Sequence, residues 1–187
     1  MPMLVDRFVI ASLTLAVAYV PPAISQQLDS ITDPEAYAVY AAVLPRMWTH
    51  VTKDPLLLQQ ETDLSMSCPV RSESHEIGWA AVENSFKAEN ARVRLLRRML
   101  PIHIPYRLIP RAEIAADDAR LILKYPGMWQ RRPESIEYAA VSAVGFDATK
   151  TKAIVYVRLR SEGGVYWIEK RLGKWDHTPR GGCSWIA

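Results

Sequence analysis

Residues 137–146 read EYAAVSAVGF, residues 153–160 read AIVYVRLR and residues 165–172 read VYWIEKRL, and the periodicity of these three runs decides the fold. In the middle run Ala153, Val155, Val157 and Leu159 alternate with Ile154, Tyr156, Arg158 and Arg160. That is the two-residue period of a strand with one face in a core and the other increasingly wet. Glu137–Phe146 is apolar at both parities, which suits a central strand covered on both sides. Asp147–Lys152 predicts a turn, and Ser161-Glu162-Gly163-Gly164 a hairpin loop. The third run returns with Tyr166 and Ile168 on one face and Val165 and Trp167 on the other, Gly173-Lys174 turns again, Trp175 opens a short strand, and Cys183–Ala187 is a candidate last edge. The expectation for 135–187 is an antiparallel meander of about four strands.

Upstream the period lengthens. Asp33-Pro34-Glu35 supplies an N-cap, a proline at the first helical position and an acid in the first turn. Tyr37, Tyr40, Ala41 and Leu44 then form one apolar stripe, and Pro45 stops or kinks the run. Leu56–Thr62 is a short strand candidate, and 64–75 a polar loop. Trp79, Val82 and Phe86 mark a helix over 77–88. With Asn90 as a new cap, Val93, Leu96 and Leu100 predict a second helix over 91–99, ended by Pro101. Three prolines make 101–111 extended and irregular, and 112–124 reads as a short helix. Helices over 33–124 followed by strands over 135–187 make one α+β domain, the helices packed on one face of the sheet. With 49% hydrophobic and 23% charged residues, a disordered chain is excluded.

The C-terminal signature of Ser142–Asp147 (SAVGFD), Lys152–Val157 (KAIVYV), Tyr166–Lys170 (YWIEK) and Gly173-Lys174-Trp175, behind a first helix carrying Tyr37–Tyr40, resembles a group of uncharacterised exported bacterial proteins with "VGF…VYV…GKW" meanders. The resemblance implies export and an α+β fold but no reaction. Members often place cysteine in the hairpin after the "VYV" strand. Here Arg160–Gly164 has none, so no hairpin disulfide is implied. By architecture alone the pattern is similar to cone-shaped folds of the nuclear-transport-factor type and to cystatins, an analogy without functional weight.

Export is also read from the residues. Arg7 precedes Phe8–Val20 (FVIASLTLAVAYV), 13 residues without a charge, then Pro21-Pro22 and small residues at Ala23 and Ser25. A spanning helix needs about 20 apolar residues. The reading is a signal peptide over 1–25 cut between Ser25 and Gln26, against an uncleaved anchor suggested by Asp6. The mature domain is then 26–187, periplasmic or secreted. An oxidising compartment lets Cys68 and Cys183, 115 residues apart, pair. Closing so long a loop is worth about 4–5 kcal/mol. Two unpaired cysteines are the alternative.

The densest charge lies in 87–111, where Lys87, Arg92, Arg94, Arg97, Arg98, Arg107 and Arg111 face Glu89 alone. On a helix Arg94, Arg97 and Arg98 share a face. Such a patch attracts an anionic envelope component or an acidic protein, set against a merely solvated face with arginine stems over the core. Nucleic acid is excluded by export and by the lack of any reader motif. His50, His75, His103 and His177 form no i,i+4 pair and no metal motif, so no metal or cofactor is expected. Glu113 and Asp117, four apart, either share a cation or are ordinary helix acids. Tyr156, Tyr166, Trp167 and Trp175 either line a ligand pocket or fill the core. The expected function is therefore binding, through the basic helical surface or a concavity of the sheet. A small secreted hydrolase using Cys68 or a histidine is the alternative.

Overall fold

The computed structural model describes residues 28–51, 55–65, 78–126, 136–160, 162–178 and 183–186. The expected signal peptide, Cys68, His75 and the hairpin residue Ser161 lie outside the described residues. The fold is α+β. Three helices, α1 (Pro34–Val51), α2 (Trp79–Glu89) and α3 (Arg111–Lys124), accompany eight strands: β1 (Leu56–Gln59), β2 (Tyr106–Ile109), β3 (Ala139–Val141), β4 (Gly145–Phe146), β5 (Lys152–Leu159), β6 (Glu162–Arg171), β7 (Lys174–His177) and β8 (Ser184–Ile186). Among the described residues no helix is long and apolar enough to cross a membrane.

The sheet is mixed, with order β2-β1-β3-β5-β6-β7, β4 beside β5 and β8 beside β6. The strands of 135–187 pair antiparallel throughout, as expected; what the expectation lacked is that β1 and β2 extend this sheet, β1 running parallel to both β2 and β3. Segment 101–111, expected to be extended and irregular, is extended and in part regular, holding β2 as a four-residue edge strand between Pro105 and Pro110. Prolines bounding an edge strand leave its ladder bonds intact.

Alternation in β5 sorts the core into two faces. Ala153, Val155, Val157 and Leu159 cluster with Leu56, Leu58, Ala139 and Val141 and with Tyr37, Tyr40, Val43, Leu44 and Trp48 of α1. Ile154 and Tyr156 cluster instead with Val165, Trp167 and with Trp79, Val82 and Phe86 of α2. Ile114 of α3 joins Tyr138 and Ala140, and Ala140 stands opposite Arg158, on the α2 side. Helices lie against both faces, not one. The central strand's two apolar parities are what allow it.

Helix α1 runs through Pro45 to Val51, past the expected end at Leu44. A proline inside a helix costs about 3 kcal/mol. The stripe of Tyr40 and Leu44 continues to Trp48, which is buried. An indole buries roughly 200 Å², worth about 5 kcal/mol at ~25 cal per Å², so burial outweighs the proline. At its start the Glu35 N–H donates to Asp33 Oδ1 (3.1 Å), the expected cap.

No helix forms over 91–99. The chain there threads as an extended seam: Leu95 bridges Ser30 and Glu61, the Ile31 N–H donates to the Leu95 carbonyl (2.8 Å), the Thr62 N–H to the Arg94 carbonyl (2.9 Å) and the Leu96 N–H to the Gln60 carbonyl (2.8 Å). Two neighbouring segments have backbone groups that need partners, and that requirement overrides helical spacing.

The run expected as one strand over 137–146 is broken between β3 and β4 at Ser142–Val144. There the Tyr40 hydroxyl donates to the Ser142 carbonyl (2.8 Å), and the Tyr156 N–H donates to Ser142 Oγ (2.9 Å). Asn90, at the end of α2, accepts from the Ala143 N–H (2.8 Å) and donates back to the Ala143 carbonyl (3.0 Å). Gly163 and Gly164, expected in a loop, are paired residues of β6 facing Trp185 and Ser184. A Cβ on Gly163 would stand 2.8 Å from Trp185 Nε1, so the bare backbone admits the indole.

Gly145 is the tightest approach, since a Cβ there would lie 2.4 Å from the backbone of Phe86 in α2. Gly145→Ala is expected to lower stability by about 2–3 kcal/mol in urea unfolding, because α2 must move off β4. At Gly173, where φ is +76° and no atom crowds the site, Ala should cost about 1 kcal/mol through backbone strain alone. Equal losses at the two positions would refute the packing account.

Candidate functional site

Three of the seven cations of the basic segment are paired with acids, two of them from outside it. Arg92 pairs with Asp29 (2.8 Å), Arg94 with Glu89 (2.7 Å) and Arg107 with Glu113 (2.9 Å). Because 91–99 is extended, Arg94, Arg97 and Arg98 do not share a helix face, which corrects the expected basic helical surface. Arg97 and Arg98 remain exposed. Arg111 turns elsewhere: its N–H donates to Glu61 Oε2 (2.8 Å) and its Nη2 to the Thr62 carbonyl (3.0 Å).

The four aromatics do not form one pocket. Tyr156 and Trp167 lie on the α2 face, Trp167 edge-on to Trp79 with ring centroids 4.7 Å apart. Trp175 and Tyr166 belong to the α1 face. There the Trp175 Nε1–H donates to Glu35 Oε2 (2.9 Å), and the Tyr166 ring meets His177 (5.2 Å). Burial holds His177 below its ordinary pKa, while His103 is exposed. Glu113 and Asp117 share no cation either, since Asp117 pairs with Arg120 (2.8 Å) and accepts from the Ile136 N–H (3.2 Å). Among the described residues no group of His, Cys, Asp and Glu is arranged to hold a metal. Cys183 is not a free thiol.

Three cavities among the described residues remain to be weighed. One, of about 320 Å³, brings two of the expected pocket aromatics, Tyr166 and Trp167, together beside His177, Thr178 and Cys183. A second, of about 370 Å³, lies between the start of α1, the end of α2 and the β4–β5 turn. Four of its charges pair, Lys150 with Asp33 (2.7 Å) and Arg94 with Glu89 (2.7 Å), and Asp147 is left to hydrogen bonds. Asp147 is held at a pKa of about 2, burial opposed by hydrogen bonds from Thr149, Lys152 and Thr151. This cavity is a polar seam whose groups serve the fold.

The third, of about 470 Å³, is lined by Gln59, Asp63, Leu64, Ser65, Arg111, Ile114, Ala115, Asp118, Tyr138 and Arg158. It sits where β1 and β2 end and α3 begins, over the sheet row carrying Ala140 and Arg158. Its centre is an ion pair: the Arg158 Nε–H donates to Asp63 Oδ2 (2.6 Å), and Nη1 donates to the Tyr138 hydroxyl (3.0 Å). Ser65 donates both its N–H (3.0 Å) and its hydroxyl (2.6 Å) to Asp63 Oδ1. Burial alone would raise the Asp63 carboxyl, but the Ser65 hydroxyl and the Arg158 guanidinium hold it below its ordinary value. In sequence Arg158 shares its parity with Ile154, Tyr156 and Arg160, a face that reads as increasingly wet, so spacing does not mark it as buried. A charge on a core face demands a partner, yet nothing in sequence spacing points to Asp63.

No family model, curated protein or solved structure matches the chain.

The Asp63 and Arg158 side chains are 4% and 19% exposed. Asp63→Asn leaves the guanidinium without its counter-charge and is expected to cost about 3–5 kcal/mol in urea unfolding. Because the folded carboxyl titrates low, its contribution is complete above the ordinary carboxylate pKa and is lost as pH falls toward the lowered one. Arg92→Ala, at a pair whose two side chains are 64% and 57% exposed, should change stability by less than about 1 kcal/mol. A loss at Asp63 no larger than that at Arg92 would contradict the buried-pair account.

Proposed function

We propose that the chain is an exported, non-enzymatic binding domain, allied to the uncharacterised exported bacterial group it resembles, whose ligand enters the pocket beside α3. The observation that carries this reading is the pocket's organisation. One arginine is held in a fixed orientation by Asp63 and Tyr138 at the floor of an open cavity. Cavities of this size with a few convergent polar groups and a displaced carboxyl pKa are the default place for a ligand. This pocket, which is not the expected one of Tyr156, Tyr166, Trp167 and Trp175, is favoured over the basic surface, where Lys87, Arg97 and Arg98 stand exposed for contact with an anionic envelope component or acidic protein. The hydrolase alternative uses Cys68 or a histidine; the proposed Cys68–Cys183 bridge removes its cysteine form, and its histidine form finds no support at His103, which is exposed, or at His177, which packs against Tyr166.

A fragment screen by NMR on the intact exported protein tests the site. Hits should shift the resonances of Ile114, Ala115 and Tyr138, and hits mapping only to other surfaces, or none, would overturn the reading. Compartment and sulfur chemistry have their own check. The exported protein should begin at Gln26 and, unfolded in denaturant, show no titratable thiol. A chain beginning at Met1 in the cytosol, or a reactive low-pKa thiol, would reverse the assignment and favour the hydrolase.

A further inference from the structure

The polar groups of the pocket beside α3 are unequally satisfied. Asp63 has both oxygens engaged, by Ser65 and by Arg158. Asp118 is paired with Arg160 through Oδ1 (2.8 Å). The donors are in surplus: among the described residues Arg158 Nη2 and Arg111 Nε and Nη1 meet no acceptor, and the Tyr138 hydroxyl accepts from Arg158 with its own proton still to give. Charge is unequal as well. Arg158 is balanced by Asp63 and Asp118 by Arg160, whereas the Arg111 side chain reaches only a carbonyl. The pocket lining therefore holds one cation without an ion pair, Arg111, whose backbone N–H is held by the Glu61 carboxylate outside the lining, and guanidinium N–H groups beside the apolar Leu64, Ile114 and Ala115.

We propose that this pocket takes a small molecule bearing one carboxylate on an apolar body, the carboxylate lying between Arg111 and Arg158 and the body against Ile114 and Ala115. The inference rests on the binding reading above and names its ligand class. Planar oxyanions match the guanidinium fork in two parallel hydrogen bonds, and those bonds are stronger than neutral ones. An amine would meet two like charges. A polyanion would find a single cation without an ion pair and, at about 470 Å³, a cavity in the lower part of the usual small-molecule range.

The test titrates the intact exported protein with hexanoate and benzoate against hexanamide and benzamide, by calorimetry and by NMR. Each amide matches its acid in shape and lacks the charge. The acids should bind at least tenfold more tightly than the amides, a difference of about 1.4 kcal/mol. Arg111→Gln should remove that advantage while leaving the amides unchanged, and Arg111→Lys should restore part of it. Ala115→Trp, at an exposed position of α3, should block acids and amides alike. If amides bind the wild-type pocket as tightly as acids, the carboxylate class is wrong and the pocket stands. If acids bind but Ala115→Trp leaves them undisturbed, the site lies elsewhere. If neither series binds at tens of millimolar, pocket and ligand class fall together.

Discussion

A break in the middle of a buried strand leaves peptide groups that water cannot reach, and each one left unpaired costs about 1–3 kcal/mol. The interruption at Ser142–Val144 meets that constraint with groups from both sides of the sheet. Tyr40 comes from α1, Asn90 from the end of α2, and Ser142 uses its own hydroxyl. Three residues of the sheet thereby tie the two helices to one another through the backbone. Gly145, immediately after the break, lets α2 settle directly on β4. With the end of α2 fixed, the following residues must travel between 29–31 and 60–62, and that seam positions Glu61, Thr62 and Asp63. Glu61 in turn accepts the first N–H of α3, and Asp63 receives Arg158. The pocket is the downstream end of this series.

Local pattern was informative wherever burial follows chain period. β5 and β6 alternate because each is a regular strand between helices, so their residues sort correctly by parity. α1 was legible to Leu44 because its stripe and cap are local features. Its continuation was not, since the weight of Trp48 depends on a cavity that only the folded sheet supplies. Residues 91–100 show the opposite failure: Val93, Leu96 and Leu100 have helical spacing, yet Leu96 and Leu100 are buried from an extended chain. Hydrophobic spacing reports which residues are inside; it does not report where the backbone finds its hydrogen bonds. Gly163-Gly164 misled for a related reason, because a glycine pair suits a turn and suits equally a strand crossed closely by another.

The candidate site was less legible than the fold, and the physics of charge explains why. Counting charges along 87–111 finds a strong positive excess, but acids that offset part of it sit outside that count or around a bend: Asp29 for Arg92, Glu113 for Arg107. Coulomb interactions act through space over several ångströms, so a one-dimensional tally overstates the field wherever the chain folds back. Arg111 and Arg94 are the members of that cluster that line cavities, and the place of Arg111 is fixed by the seam and by Glu61 and not by its sequence neighbours.

The buried pair at the pocket floor argues for use over support. Two charges removed from water cost several kcal/mol, and well-packed apolar residues in their place are commonly as stable or more so. Elsewhere on the same face Ile154, Tyr156, Trp167 and Val165 show that this chain can fill such positions with apolar groups. Asp63 and Arg158 instead use three hydrogen bonds and a tyrosine to hold one guanidinium still at the floor of a cavity. A side chain already ordered loses little entropy when a ligand arrives. Preorganisation of this kind adds little to folding and is useful chiefly to binding, which is why the pair outweighs the more conspicuous run of arginines as the mark of a site.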